Sequence, residues 1–296
     1  MRPNLWLAAW LVALWAGALW GQDKAPAGKE PDPWKDYVLA GKWNEGRDHY
    51  RQAIVDLLAP KGAVNFEKLR ELRYAHAVCR WFPSMTERIT QVQAQKALAA
   101  ALLANQAFTE RFLAALAPQD KPDGAFEVLY SLCDNDAQAL KKHADLTIAF
   151  AVVWDDQPPM EKVLAAYAHY FAACARQMPF DPLALPWELA KHVVDLKRPL
   201  EEREWALKRY GSSPNVGRLY DNIEYDVRLF LRGGGRRESD GQTLEEMRKH
   251  RGMCHERAIF SSDVGKCLGV PSVYVFGEAE DGLGHAWLGF LRKRGQ

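Results

Sequence analysis

A chain of 296 residues that is 48% hydrophobic and 26% charged can bury a sizeable core, which excludes a wholly disordered protein. A formal net charge of +1 argues against a general nucleic-acid binder, which would carry a clear basic excess. Five cysteines, odd in number and widely spaced, are too sparse for a disulfide scaffold.

The chain begins "MRPNLWLAAWLVALWAGALWGQ". Arg2 gives a short positive start, an apolar run covers Leu5 to Leu19, and Ala16-Gly17-Ala18 offers an A-x-A-like cleavage site, with Gly21 a second candidate. A polar, Pro-rich stretch follows at once. The pattern predicts a signal peptide over residues 1–21 and a secreted or periplasmic mature chain. The alternative is an uncleaved N-terminal anchor. No second apolar run is long enough to cross a bilayer. Residues 22–41, rich in Lys, Pro and Gly, read as a linker.

From Trp43 to about Met178 the pattern is helical almost throughout. "YRQAIVDLLA" puts Ile54, Leu57 and Leu58 on one face at three-to-four spacing. Asn65 is placed to cap "FEKLRELRYAHAVCRWF". Ser84, with Glu87 three residues on, has the spacing of a capping box for "MTERITQVQAQKALAAALLANQAF". "ERFLAALA", "AFEVLYSLC", "AQALKKHADLTIAFAVVW" and "MEKVLAAYAHYFAACARQM" continue the theme, and no fixed-length repeat names a solenoid class. Cys79 and Cys174 lie in apolar helical surroundings and read as buried small hydrophobes. Asp155 and Asp156, side by side at a helix end, read as a cap or a turn.

Pro182 and Pro186 interrupt this region. "PWELAKHVVDL" and "LEEREWALKRYG" predict two further helices, the second stopped by Gly211. "VGRLYDNIEYDVRLFL" mixes helical and strand character, and "RGGGRRESDG" reads as a loop; without a terminal Gly-Lys-[Ser/Thr] it is not a P-loop. Then come a helix ("TLEEMRKH"), a turn at Arg251-Gly252, a helix from about Cys254 to Leu268, a strand ("SVYVFG"), a Gly-rich turn and a strand ("HAWLGFL"). The expected organisation is α+β: a helical region over residues 42–211, then a smaller core over 212–296 of helix plus antiparallel strands.

The chemistry concentrates in that last part. A cysteine at a helix N-terminus meets unsatisfied N–H groups and the positive end of the macrodipole. Both favour the thiolate, which is the nucleophilic form, and the same N–H groups can hold an oxyanion. Ala258, Ser261, Ser262 and Gly265 form a small-residue side along the predicted helix, suited to close approach by a sheet. His285 opens the last strand; an imidazolium within reach of Cys254 would lower the thiol pKa and later protonate a leaving amine.

Gly252-Met253-Cys254, Leu268-Gly269-Val270-Pro271 and His285-Ala286-Trp287 occur in that order at sensible intervals, and "LYDNIEYDV" precedes them. Over roughly residues 212–296 the chain resembles the transglutaminase-like superfamily, a papain-like cysteine fold. The resemblance implies Cys254 as nucleophile and His285 as its partner in an exported thiol enzyme acting on amide or peptide bonds, with a protein or peptide substrate and no cofactor or metal. A zinc site from Cys254, His255, Cys267 and His285 is disfavoured, because adjacent Cys and His diverge and no C-x-x-C pair is present. Family members supply an Asp or Asn on a following strand, whereas "AWLGFLRKRGQ" after His285 contains neither. Two expectations account for this: a truncated form of a longer protein, or a member lacking the orienting residue. Water as acceptor makes the enzyme hydrolytic, the favoured outcome; a lysine amine makes it a cross-linker. The alternative class is a non-catalytic binding or scaffold protein with a degenerate transglutaminase-like module.

Overall fold

The computed structural model describes residues 34–59, 64–91, 102, 105–117, 119–136, 138–156, 159–172, 178, 180–212, 215–231, 243–278, 282 and 284–292. The expected signal segment, most of the linker, the Gly-rich loop at 232–242 and Cys174 lie outside them. The protein is α+β: mostly helical, with one small antiparallel sheet. The chain divides into two units, residues 1–126 and 127–296. Within the second unit, helices before residue 211 share a core with the C-terminal elements, as described below.

In the first unit, α1 (Trp34–Leu39), α2 (Trp43–Leu58) and α3 (Phe66–Gln91) gather around buried Tyr50, Ala75 and Cys79. α1 falls within the expected linker, but its aromatic rings give it partners: Trp34 meets Tyr74 edge-on at 5.8 Å, and Tyr37 meets Tyr50 at 6.0 Å. Asn65 caps α3, its Oδ1 accepting from the Lys68 N–H at 3.0 Å. Ser84 starts no helix, because α3 runs through Pro83 to Gln91. Pro83 forfeits its own N–H bond and crowds the carbonyl four residues back, yet the helix continues on both sides of it. α4 (Gln106–Ala115) is capped by Asn105, which accepts from Phe108 N–H at 3.2 Å.

α5 (Pro122–Asn135) crosses the boundary between units. In the second unit, the stretch "QALKKH" is turn rather than helix, and α6 begins only at Ala144. Asp136 explains the interruption: it accepts from Gln138 N–H at 2.9 Å and meets His143 Nδ1 at 2.7 Å, holding the chain in a turn. α6 (Ala144–Val153) is buried without a break from Leu146 to Ala151 and is apolar there except for Thr147, whose hydroxyl donates to Ala139 O at 3.1 Å. Its neighbours are α7 (Met160–Ala172) and α8 (Trp187–Val194), joined through Trp154 Nε1 to Val194 O at 2.9 Å and Tyr170 Oη to Val193 O at 3.0 Å.

The remaining elements are α9 (Leu200–Tyr210), α10 (Val216–Leu219) with a 3₁₀ turn at Tyr220–Asn222, α11 (Val227–Leu231), α12 (Leu244–Lys249), α13 (Cys254–Cys267), β1 (Ser272–Glu278) and β2 (Gly284–Phe290). α9 ends at Gly211, whose N–H donates to Leu207 O at 2.8 Å. Thr243 and Glu246 form a reciprocal capping box on α12. One apolar core joins these pieces: Leu196 and Leu207 from the α9 region, Val216, Leu244, Phe260, Val264 and Leu268 are all buried in it. Around its rim Arg198 pairs with Asp263 at 2.8 Å and Lys266 Nζ donates to Asp195 O at 2.6 Å.

α13 turns into β1 over Leu268-Gly269. Gly269 holds φ +71°, where a side chain is strained, and Val270 N–H closes the turn on Gly265 O at 2.9 Å. β1 and β2 pair antiparallel, with Tyr274 opposite Leu288, Phe276 opposite Ala286 and Gly277 opposite His285.

Candidate active site

Cys254 is the first residue of α13, following Met253 in extended backbone. The start of this helix is tied in several ways. Glu256, three residues beyond the cap, accepts from Met253 N–H at 2.9 Å. Gly252 forms a parallel bridge with Tyr225, its N–H donating to Glu224 O at 2.9 Å and its carbonyl accepting from Asp226 N–H at 3.0 Å. Arg251 adds an ion pair with Glu224 at 2.8 Å. The "LYDNIEYDV" segment thus lies beside the cysteine turn.

Cys254 is half-buried, as is Cys133, whereas the other two described cysteines are buried. Cys79 and Cys267 are buried, and burial pushes their thiols up to about 11 and about 12. Cys133, half-buried in α5, is pushed up to about 12 by burial first and by Asp136 second. None of the four forms a disulfide. Among the described residues no three His, Cys, Asp or Glu side chains gather as a metal site would need.

The helix lies close on the sheet. Ala258, Ser261, Ser262 and Gly265 are buried, and a Cβ on Gly265 would collide with the Ser272 hydroxyl. Nearer the N-terminus, His255 turns to the sheet and meets Tyr274 Oη through Nδ1 at 2.9 Å. These contacts identify the helix-facing side of the hairpin. Directly paired residues share a face and neighbours alternate, so Ser272, Tyr274, Ala286 and Leu288 face α13. Ala286 is fully buried and Leu288 packs on the core, as that assignment requires.

The same register turns His285 to the other side. It shares that face with Val273, Val275 and Trp287, and it stacks on the Trp287 ring at 5.9 Å with 22° between planes. His285 is exposed and Trp287 is 42% exposed. No hydrogen bond joins the Cys254 thiol to the His285 imidazole. The structure therefore places Cys254 where the sequence reading put it, and sets both predicted residues in adjoining elements, without bringing their side chains together.

A third group sits between them. Tyr220, in the 3₁₀ turn, donates its hydroxyl to Ala286 O at 2.9 Å, one residue from His285. Its own carbonyl accepts from Arg257 Nε at 2.8 Å, and the Arg257 guanidinium lies 4.2 Å from the Tyr220 ring centre. Arg257 also binds Asp221 Oδ1 at 2.6 Å. Burial pushes the Tyr220 phenol up; Arg257 pulls it down, and Cys254, within electrostatic range, adds to the rise. Sequence reasoning did not single out Tyr220, Asp221 or Arg257. The available signal was spacing: Cys254 and Arg257 are three apart, hence on one side of a helix.

No family model, no curated protein and no solved structure matches the chain.

Proposed function

We propose that residues 212–296 form the thiol-bearing core of an exported, transglutaminase-like enzyme that acts on amide or peptide bonds of a protein or peptide. The Cys254 thiolate attacks the carbonyl carbon, the C–N bond breaks, and a thioester forms on Cys254. His285 takes the thiol proton and gives it to the departing amine. Water then cleaves the thioester to a carboxylate, which is hydrolysis; an incoming amine would instead complete a transfer. The observation that supports this reading is the position of Cys254, half-buried at the start of a braced 14-residue helix while Cys79 and Cys267 are sealed in apolar cores. The chemistry needs the imidazole brought to the sulfur from the outward face of the hairpin.

A second reading has its own observation. His285 stacked on Trp287, turned from the cysteine helix, suits a non-catalytic binding module built on the same scaffold. Alkylation by iodoacetamide separates the two. The enzyme reading expects Cys254 to label fast at neutral pH and to slow about a hundredfold in His285→Ala, the lower end of the range for a positioned acid–base partner. The binding reading expects labelling of Cys254 to ignore His285, and that result sinks the enzyme.

A further inference from the structure

We propose that Tyr220 is a positioning residue that sets the spacing between the Cys254 helix end and the His285 strand; this rests on the thiol-enzyme reading above. Three contacts carry it. The Tyr220 hydroxyl donates to Ala286 O at 2.9 Å, the carbonyl next in the chain to His285. The Tyr220 carbonyl accepts from Arg257 Nε at 2.8 Å, and Arg257 is one helical turn beyond Cys254. The Arg257 guanidinium lies over the Tyr220 ring at 4.2 Å, and Asp221 at 2.6 Å fixes its other end. One side chain therefore reaches the strand while its own backbone and ring hold the helix.

The bond to the strand is the informative one. Packing of β2 on α13 comes from Ala286 and Leu288, which are apolar and need no phenol. A hydroxyl aimed at one backbone carbonyl adds direction rather than area. It pins the strand beside His285, whose ring faces away from α13, so the imidazole must be brought to the sulfur about a backbone held at this point, and placement matters to proton transfer far more than to burial. Sliding the hairpin along the helix would keep the apolar contact and lose this bond.

Tyr220→Phe tests the idea, since it keeps the ring over Arg257 and deletes only the donor. The measurement is the rate of Cys254 alkylation against pH from 5 to 9, in wild type, Tyr220→Phe and His285→Ala, alongside thermal unfolding. Positioning expects the His285-dependent limb of the profile to fall roughly 10-fold in Tyr220→Phe, with Cys267 still unlabelled. A role confined to packing would lower the melting temperature and leave the pH profile in place, which overturns the proposal. If wild type shows no His285-dependent limb, the thiol-enzyme reading falls and the proposal with it. Should Tyr220→Phe fail to fold, Arg257→Lys decides by the same profile. It keeps the charge and loses the fork that grips the Tyr220 carbonyl and Asp221.

Discussion

The two ends of α13 carry one cysteine each, and they could hardly be less alike. Cys254 begins the helix at a half-open turn held by polar contacts to Glu256, Glu224 and Tyr225. Cys267 ends it inside the apolar core with Phe260, Val264 and Leu268, its thiol pushed up to about 12 by burial. Same residue type, same helix: the surroundings decide which sulfur a reagent can reach. A cysteine count says nothing of this, whereas its place in the helix says nearly everything.

The sharpest test of the contrast is chemical. At pH 8 in the folded protein Cys254 should outpace Cys267 in alkylation by roughly a thousandfold or more, since a buried thiol so far from its pKa is almost never ionised. Peptide-resolved mass spectrometry reads both rates, and they should converge in denaturant. Comparable rates in the native state would erase the distinction.

Next in size is a pH effect at the buried end. Burial first, then Arg203, pushes the His169 imidazole down from 6.5 to about 4, against a hydrogen bond to the Cys267 backbone that works the other way. The folded pKa is the lower one, so between these values the unfolded chain binds more protons. Stability is then whole above 6.5 and drains as pH falls toward 4, by about 2–3 kcal/mol at pH 4.5. Denaturant unfolding at pH 7.5 and 4.5 measures it, and His169→Gln should flatten the profile. An equally steep loss in that variant would remove His169 as the cause.

Gly265→Ala probes the seam between helix and sheet. Its Cβ would strike Ser272 and press on Val216, at a cost of about 2 kcal/mol for an overpacked contact. Adding Ser272→Ala should restore part of that, and the coupling between the two substitutions is the measurement. The smallest expected effect belongs to the open end: Glu256→Ala removes the acceptor for Met253 N–H and should cost ~1 kcal/mol of unfolding free energy. A much larger loss would mean that the two ends are not separable.

What could be read beforehand follows the same divide between local and distant causes. Asn65 as a cap, Gly211 as a stop and the helix–turn–strand–strand order after Arg251 depend on neighbours a few residues away, and periodicity exposes such causes. The helix at Trp34–Leu39 and the passage of α3 through Ser84 do not. The first exists because Tyr50 and Tyr74 receive its rings, and no pattern within "WKDYVL" shows them. At the site, Cys254 at the start of its helix was legible from Gly252 and the small residues that follow. The face of His285 was not, because it depends on which side of a two-residue alternation meets α13, and that is fixed by Tyr274 and Leu288 across the hairpin. Tyr220 was hidden for a similar reason, its target being a backbone carbonyl 66 residues on.

Gly269 carries a consequence for the order of folding. Its left-handed backbone reverses the chain from α13 directly into β1, so the helix, the turn and the hairpin meet through neighbours close in sequence. Short loops close cheaply and early, whereas bonds such as Trp154 to Val194 must await distant chain. Residues 254–290 are thus expected to assemble in the transition state, and Gly269→Ala should slow refolding more than it hastens unfolding in a stopped-flow chevron.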